Sequence, residues 1–297
     1  IELCDLQPRI FADSYISLSR CWHRERCSVN NGRIYRAGRI RTTITDTDFK
    51  IIRACYTWDH EHTRIGKFLR YKKGYLPTDF VSAILELYKK KTELKGVQGA
   101  EREYLYYKEL LNSCYGMCVT SPLRDVLEYT DDWEEPYTPD KAVALNKYNK
   151  NWNRFLFYPW GIQTTAGARY NLWSGIVEFG SEDYVYSDTD SVKVLHADKH
   201  KDYIEKYNRT VVQRLEKALD YHKLPHDLIR PKTIKGEEKP LGVWDFEGTY
   251  TRFKTLGAKR YMTETKDGVS ITVSGLNKTI SAPFLCEGWN YTISDKT

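Results

Sequence analysis

Hydrophobic positions along this chain follow two periods, and the switches between them outline its elements. Residues 1 to 44 hold short β-like runs, among them "YISLS" and "GRIYRAGRIRTTIT", separated by polar turns that include Asn30-Asn31-Gly32. The period changes after Thr45 to Asp48, where "FKIIRACY" places Phe49, Ile52 and Tyr56 at helical spacing. A Thr or Asp ahead of such a run accepts a free backbone N–H of the first turn, so Asp46-Thr47-Asp48 is expected to be a helix start. From Thr78, "TDFVSAILELYKKK" puts Phe80, Ala83, Ile84, Leu87 and Tyr88 on one helical face. A Gly-bounded turn, "KGVQG", separates it from a second helix, "AEREYLYYKELLNSCY". The pair predicts an antiparallel hairpin with Lys89, Lys90, Lys91 and Lys95 near its tip. Lysines at a helix end also suit the macrodipole and solvation, with no ligand needed.

Residues 121 to 156 are polar, acidic first and then basic, with no clean period, and are expected to be an inserted loop region. A helix is predicted over "ARYNLWSGIVEFG", followed by a β hairpin at "YVYSDTDSVKV". A well-patterned amphipathic helix comes next, with Ile204, Tyr207, Val211, Leu215 and Leu219 on one stripe. The remainder, through "RFKTLGAKRYMTE" and "SITVSGLNKTI", reads as strands and turns. Hairpins alternating with helices predict an α+β fold.

With 297 residues and 41% hydrophobic side chains, the chain can fill a core. Its 46 Lys and Arg against 40 Asp and Glu give +6, an excess that favours a polyanion if gathered on one face. The seven cysteines are odd in number and contain no Cys-x-x-Cys pair, so they are expected to be reduced thiols of a cytoplasmic protein. His60 with His62, and His196 with His200, have a spacing that tolerates a metal, although polar turns give the same letters. No run approaches the roughly 18 apolar residues that span a bilayer, so no membrane partner is expected. The abrupt opening "IELCDL" suggests a piece of something longer.

The tripeptide Asp-Thr-Asp occurs twice, and at most one copy is expected to carry chemistry. In "VYSDTDSVKVL" two short strands flank Asp188-Thr189-Asp190, which presents two carboxylates at a hairpin tip. Such neighbours raise each other's pKa unless a cation neutralises them. Mg²⁺ does this well, taking one or two carboxylates together with waters and substrate phosphates. An exposed polar turn is the ordinary alternative. A second cluster lies in "KELLNSCYG", where Lys108, Asn112 and Tyr115 share a helical face at i, i+4 and i+7. A cation for phosphates, an orienting amide and a flat ring suit a nucleotide. Gly116 follows, where a helix C-terminus would allow close approach to the backbone.

Lys108-x-x-x-Asn112-Ser113-x-Tyr115-Gly116, then Tyr186-x-Asp188-Thr189-Asp190-Ser191, then Lys259-x-Tyr261, resemble three polymerase motifs of family B DNA polymerases in their order. The run as a whole resembles the protein-primed branch of bacteriophages and adenoviruses. The resemblance implies a DNA-directed DNA polymerase that attacks the α-phosphorus of a dNTP with a primer 3′-hydroxyl, using two Mg²⁺ ions. Asp190 would be a direct Mg²⁺ ligand, with Asp188 supporting the metal and the primer end. Lys108 would neutralise the triphosphate, with Asn112 and Tyr115 lining the nucleotide pocket and Lys91 as a further phosphate-facing lysine. Lys259 and Tyr261 would grip the DNA, with Thr189 and Gly116 beside it. The implied partners are template-primer DNA, a dNTP and a terminal priming protein, in the cytoplasm of a host cell.

The family's first motif, an Asp followed by a Ser-Leu-Tyr-Pro-like run, supplies another metal ligand and is missing here. "ADSYISLS" around Asp13 is the nearest string, with the wrong spacing and no Tyr-Pro. One ligand of the two-metal site is therefore expected to lie outside this chain, and the chain alone is expected to be inactive. The resemblance implies a palm-associated insertion over residues 1 to 76, helical-hairpin fingers over 77 to 118, and an antiparallel palm sheet with packed helices over 119 to 297. The last would carry an insertion at about 121 to 156 and end near the palm-to-thumb junction. Two other classes stay open. One is a catalytically inactive nucleic-acid-binding fragment, favoured by the missing acid. The other is a Mg²⁺-dependent nuclease, disfavoured by Lys108, Asn112 and Tyr115 because hydrolysis needs no dNTP pocket.

Overall fold

The computed structural model describes residues 1–9, 14–127, 136–277 and 280. Asp13 and Cys286 lie outside them. The first five strands, β1 (Glu2–Pro8), β2 (Cys21–Glu25), β3 (Ser28–Asn30), β4 (Arg33–Thr42) and β5 (Tyr56–Arg64), make one antiparallel sheet. Its order is β2-β4-β1-β5, with β3 paired to β4. The turn between β3 and β4 needs positive φ at both central positions, which Asn31 (φ 47) and Gly32 (φ 72) adopt. "YISLS" forms no strand: Leu18–Arg20 is a single 3-10 turn, and Ser17 makes an isolated bridge to Arg33.

Helix α1 (Asp46–Cys55) begins where the sequence predicts, and its cap is reciprocal. Asp48 N–H donates to Thr45 Oγ1 at 3.0 Å, and Thr45 N–H donates to an Asp48 carboxylate oxygen at 3.0 Å. Tyr56, expected on the helical stripe, is instead the first residue of β5. Its hydroxyl donates to the Ile34 carbonyl at 2.7 Å and accepts from Tyr15 N–H at 2.8 Å, which fixes the ring against the sheet.

Helices α2 (Thr78–Leu94) and α3 (Glu101–Val119) form the predicted hairpin. The face of α2 that packs is offset from the predicted one: Leu85 is buried, Val81 and Tyr88 are half-buried, and Ala83 is exposed. The reason is tertiary, since Leu85 meets Leu219 and Ile229 in a small second core, while Phe80 stacks on Phe155 on another side. A further helix, α4 (Lys141–Lys150), corrects part of the loop expected over 121 to 156, of which residues 128 to 135 lie outside the described residues. Asp140 caps it by accepting from Val143 N–H at 3.0 Å, and none of its residues is buried, so it carries no apolar stripe for a pattern to reveal.

Helix α5 (Tyr158–Asp183) is longer than predicted and organises the molecule. Its Trp173 and Ile176 enter the core of the first sheet beside Leu3, Leu6, Ile34, Ile52 and Tyr56, so that sheet and α1 share one core with α5. Its start packs on α3, where a Cβ at Gly161 would overlap Val119 Cγ1. Its end bends at Gly180, whose φ of 69 and ψ of 176 lie in a region open essentially to glycine alone. That bend leads α5 into β6 (Tyr184–Asp188), which pairs with β7 (Ser191–Val194). Gly180→Ala is expected to destabilise the protein by about 1–3 kcal/mol in chemical denaturation, although a Cβ there meets nothing within 4 Å. An unchanged midpoint would show that the bend is not locked by its surroundings.

Helix α6 (Lys201–His222) carries the predicted stripe, with Leu219 buried and Ile204, Tyr207, Val211 and Leu215 half-buried. Strands β8 (Arg252–Gly257), β9 (Arg260–Thr265) and β10 (Gly268–Val273) form a third antiparallel sheet in the order β10-β9-β8. The fold is therefore α+β, with antiparallel sheets and packed helices. The six described cysteines form no disulfide with one another. No helix among the described residues is long and apolar enough to cross a membrane.

Candidate nucleotide and metal site

The second Asp-Thr-Asp sits at a tight hairpin tip. Asp188 pairs with Ser191 across β6 and β7, leaving Thr189 and Asp190 as a two-residue turn. Thr189 takes φ 54, unusual for a β-branched residue, and three bonds support the conformation. Asp190 N–H donates to the Asp188 carbonyl at 2.6 Å, Ser191 Oγ donates to the same carbonyl at 3.3 Å, and Thr189 Oγ1 donates to Asp188 Oδ1 at 2.9 Å. Asp190 is exposed, and its carboxylate has no hydrogen-bond or ion-pair partner among the described residues.

The Asp188 carboxylate is held from another sheet. Lys259 Nζ donates to Oδ1 at 3.0 Å and to Oδ2 at 2.7 Å. Lys259 lies in the β8–β9 turn with φ 56, and its backbone N–H donates to Tyr186 Oη at 2.9 Å. The Tyr186 ring packs on Tyr261 and Phe253, with centroids 5.2 and 5.5 Å away. The Lys-x-Tyr turn and the acidic hairpin, more than sixty residues apart in sequence, are thus one structural unit. The Lys259 ammonium holds the Asp188 carboxyl below the usual range, and Asp188 in turn raises the Lys259 pKa.

The base of the hairpin is closed by Asp183, a residue without a role in the sequence reading. Its carbonyl accepts from Leu195 N–H at 2.7 Å, and its two carboxylate oxygens meet His196 Nδ1 and His200 Nε2, each at 2.8 Å. The imidazole bonds, from His196 first and then His200, keep the Asp183 carboxyl below its ordinary range. The only hint in sequence was the His196, His200 spacing. Among the described residues no group of three or more His, Cys, Asp and Glu side chains could hold a metal. His62 likewise bonds Asp59, at 2.6 Å.

The residues singled out on α3 lie apart from the acidic tip. Lys108, Asn112 and Tyr115 are all exposed on α3. Lys91 lies within electrostatic reach of Lys95 and Lys108; burial lowers its pKa, and these two neighbours lower it further. None of the three lysines has a carboxylate partner among the described residues, so the hairpin offers concentrated positive charge to an anion. Gly116 stands inside α3, not at its C-terminus, because the helix continues to Val119. A Cβ there would meet nothing within 4 Å, so its surface is open. Among the described residues, no hydrogen bond or ion pair joins this cluster to Asp188 or Asp190. The connection runs through α5, which packs against α3 and leads into β6.

Two carboxylates at one tip, one of them free, are a hard oxygen donor set that suits Mg²⁺, an ion that completes its shell with water and phosphate. Comparisons with protein-family models, with curated proteins and with solved structures find no match for the chain.

Proposed function

We propose that this chain carries the nucleotide- and metal-binding parts of a template-directed DNA polymerase of the family B type, in a protein-primed viral or phage replication system. The observation that carries the reading is the joining of Asp188 to Lys259, which unites two of the three motifs around one acidic tip. Asp190 and Asp188 would hold Mg²⁺, which when bound would activate a primer 3′-hydroxyl and offset charge on the transferring phosphate. Lys108 and Lys91 bind the triphosphate, and Asn112 and Tyr115 orient sugar and base. Lys259 sits between the acidic tip and the DNA backbone, and Tyr261 braces the hairpin through Tyr186. Template-primer DNA, a dNTP and a terminal protein are the partners in this reading.

A second reading, a nucleic-acid-binding module without catalysis, is favoured by the same contact. An ammonium on both oxygens of Asp188 neutralises that carboxylate with no metal. Titrations of a labelled dNTP and of a DNA duplex distinguish the two. Lys108→Ala is expected to weaken Mg²⁺-dependent dNTP binding at least about tenfold and to leave duplex binding nearly unchanged. Lys259→Ala is expected to weaken duplex binding about equally for all sequences and to flatten its log-log salt dependence by about one contact. Nucleotide binding indifferent to Mg²⁺ and to Lys108 would leave the non-catalytic module standing. Loss of duplex binding in Lys108→Ala, with none in Lys259→Ala, would overturn the assignment of roles.

A further inference from the structure

Between the end of β5 and the start of α2 the chain runs as "RIGKFLRYKKGYLP" without regular secondary structure from residue 65 to residue 77. This strap carries Arg64, Lys67, Arg70, Lys72 and Lys73 and no carboxylate. Lys67, Arg70, Lys72 and Lys73 have no ion pair or hydrogen bond among the described residues. Its apolar side chains are also left outside the cores: Phe68 is 74% exposed, and Ile65, Leu69, Tyr71 and Tyr75 are exposed as well. Tyr75 stacks on Tyr221 of α6, with centroids 4.3 Å apart and planes 28° from parallel, and Tyr221 is itself 65% exposed. An exposed ring pair is thereby built from two distant parts of the chain.

We infer that this strap is a binding surface for single-stranded nucleic acid. The inference rests on charge and exposure and goes beyond nucleotidyl transfer at the acidic tip. Cations tracking a phosphate backbone, interleaved with rings that accept unstacked bases, are the two components of sequence-tolerant single-strand binding. A duplex keeps its bases stacked and would leave the rings idle. An anionic lipid surface asks for a continuous apolar face, whereas here the cations Lys67, Arg70, Lys72 and Lys73 are interleaved along the chain with Phe68, Leu69, Tyr71 and Tyr75.

The test uses the whole chain and four probes: oligo(dT) of about twenty nucleotides, an abasic strand of equal length, a duplex, and vesicles of phosphatidylserine and phosphatidylcholine. Stacking contributes about 1–3 kcal/mol per base, so Phe68→Ala/Tyr71→Ala/Tyr75→Ala is expected to weaken oligo(dT) binding about a hundredfold or more. Binding of the abasic strand should not change, and the ring-keeping variant Phe68→Tyr/Tyr71→Phe/Tyr75→Phe should match the parent. Lys67→Gln/Arg70→Gln/Lys72→Gln/Lys73→Gln should weaken both strands and flatten the salt slope by about three, from roughly 0.7 per contact. Oligo(dT) binding unchanged by loss of the rings, equal losses on abasic and base-bearing strands, or effects confined to vesicles would each overturn the proposal. Lys108→Ala and Lys259→Ala, read on dNTP and duplex, report separately on the polymerase reading.

Discussion

Asp48→Ala is expected to destabilise the protein by about 3–5 kcal/mol in chemical or thermal unfolding at neutral pH, while Asp46→Ala changes stability by less than about 1 kcal/mol. Asp48 is buried and accepts from Tyr15 Oη, from Arg169 Nε at 2.9 Å and an Arg169 terminal nitrogen at 2.8 Å, and from Thr45 N–H. Removing its carboxylate leaves the Arg169 guanidinium, itself largely shielded, without its counter-ion and opens the capping box of α1 in the same step. Asp46 is exposed in the first helical turn, so its charge meets only the helix dipole. Equal losses from the two substitutions would show that the helix dipole both acids meet, and not the ion pair with α5 or the capping box, governs the site.

The pH dependence has a definite sign. Burial pushes the Asp48 pKa up, but the hydrogen bonds from Tyr15, Thr45 and Arg169 outweigh it and leave the group below its ordinary value. A carboxyl depressed in the folded state stabilises fully above its unfolded pKa, roughly 3.9, and loses that contribution as pH falls through the lower folded value. The parent is therefore expected to lose stability in that acid range more steeply than Asp48→Ala does. The same network pushes the Tyr15 pKa up to about 12, through burial and then the Asp48 bond, so Tyr15 stays a neutral donor throughout.

At the other Asp-Thr-Asp the expected effects are reversed: little change in stability, large change in ligand binding. Asp190→Asn is expected to lower Mn²⁺ affinity, read by electron paramagnetic resonance or calorimetry, by at least about tenfold, because charge count governs binding of hard cations. Where primer extension is measurable it should fall about a thousandfold, the loss of roughly 4 kcal/mol of charge stabilisation. Lys259→Ala is expected to act in the opposite direction on Mn²⁺, tightening binding, since it releases both oxygens of Asp188. The Asp188–Lys259 pair combines a lowered carboxyl pKa with a raised ammonium pKa, so it persists from mildly acid to mildly alkaline pH, and the Mn²⁺ contrast should persist over the same range. Weaker Mn²⁺ binding in Lys259→Ala would show that the lysine supports the metal site and does not compete with it.

Local periodicity determined a good part of this molecule. The cap at Thr45, the Asn31-Gly32 turn, the α2–α3 hairpin, the stripe of α6 and the acidic hairpin each follow from side chains within one or two turns of each other. Their physics is short-range, so the letters carry it. Helix α4 escaped because it buries nothing, Tyr56 because helical spacing continued one residue into a strand, and the packed face of α2 because Leu219 and Ile229 choose it from far along the chain. The same division runs through the site. The sequence alone could place Asp188 with Asp190, and Lys108 with Asn112 and Tyr115, since each set shares a turn or a helical face. Only the tertiary structure could decide that Asp48 answers to Arg169, that Lys259 closes on Asp188, and that Asp183 ties two histidines beneath the hairpin. Those bonds join elements whose approach is set by the shared core around α5, and no local pattern encodes a distance between segments that far apart.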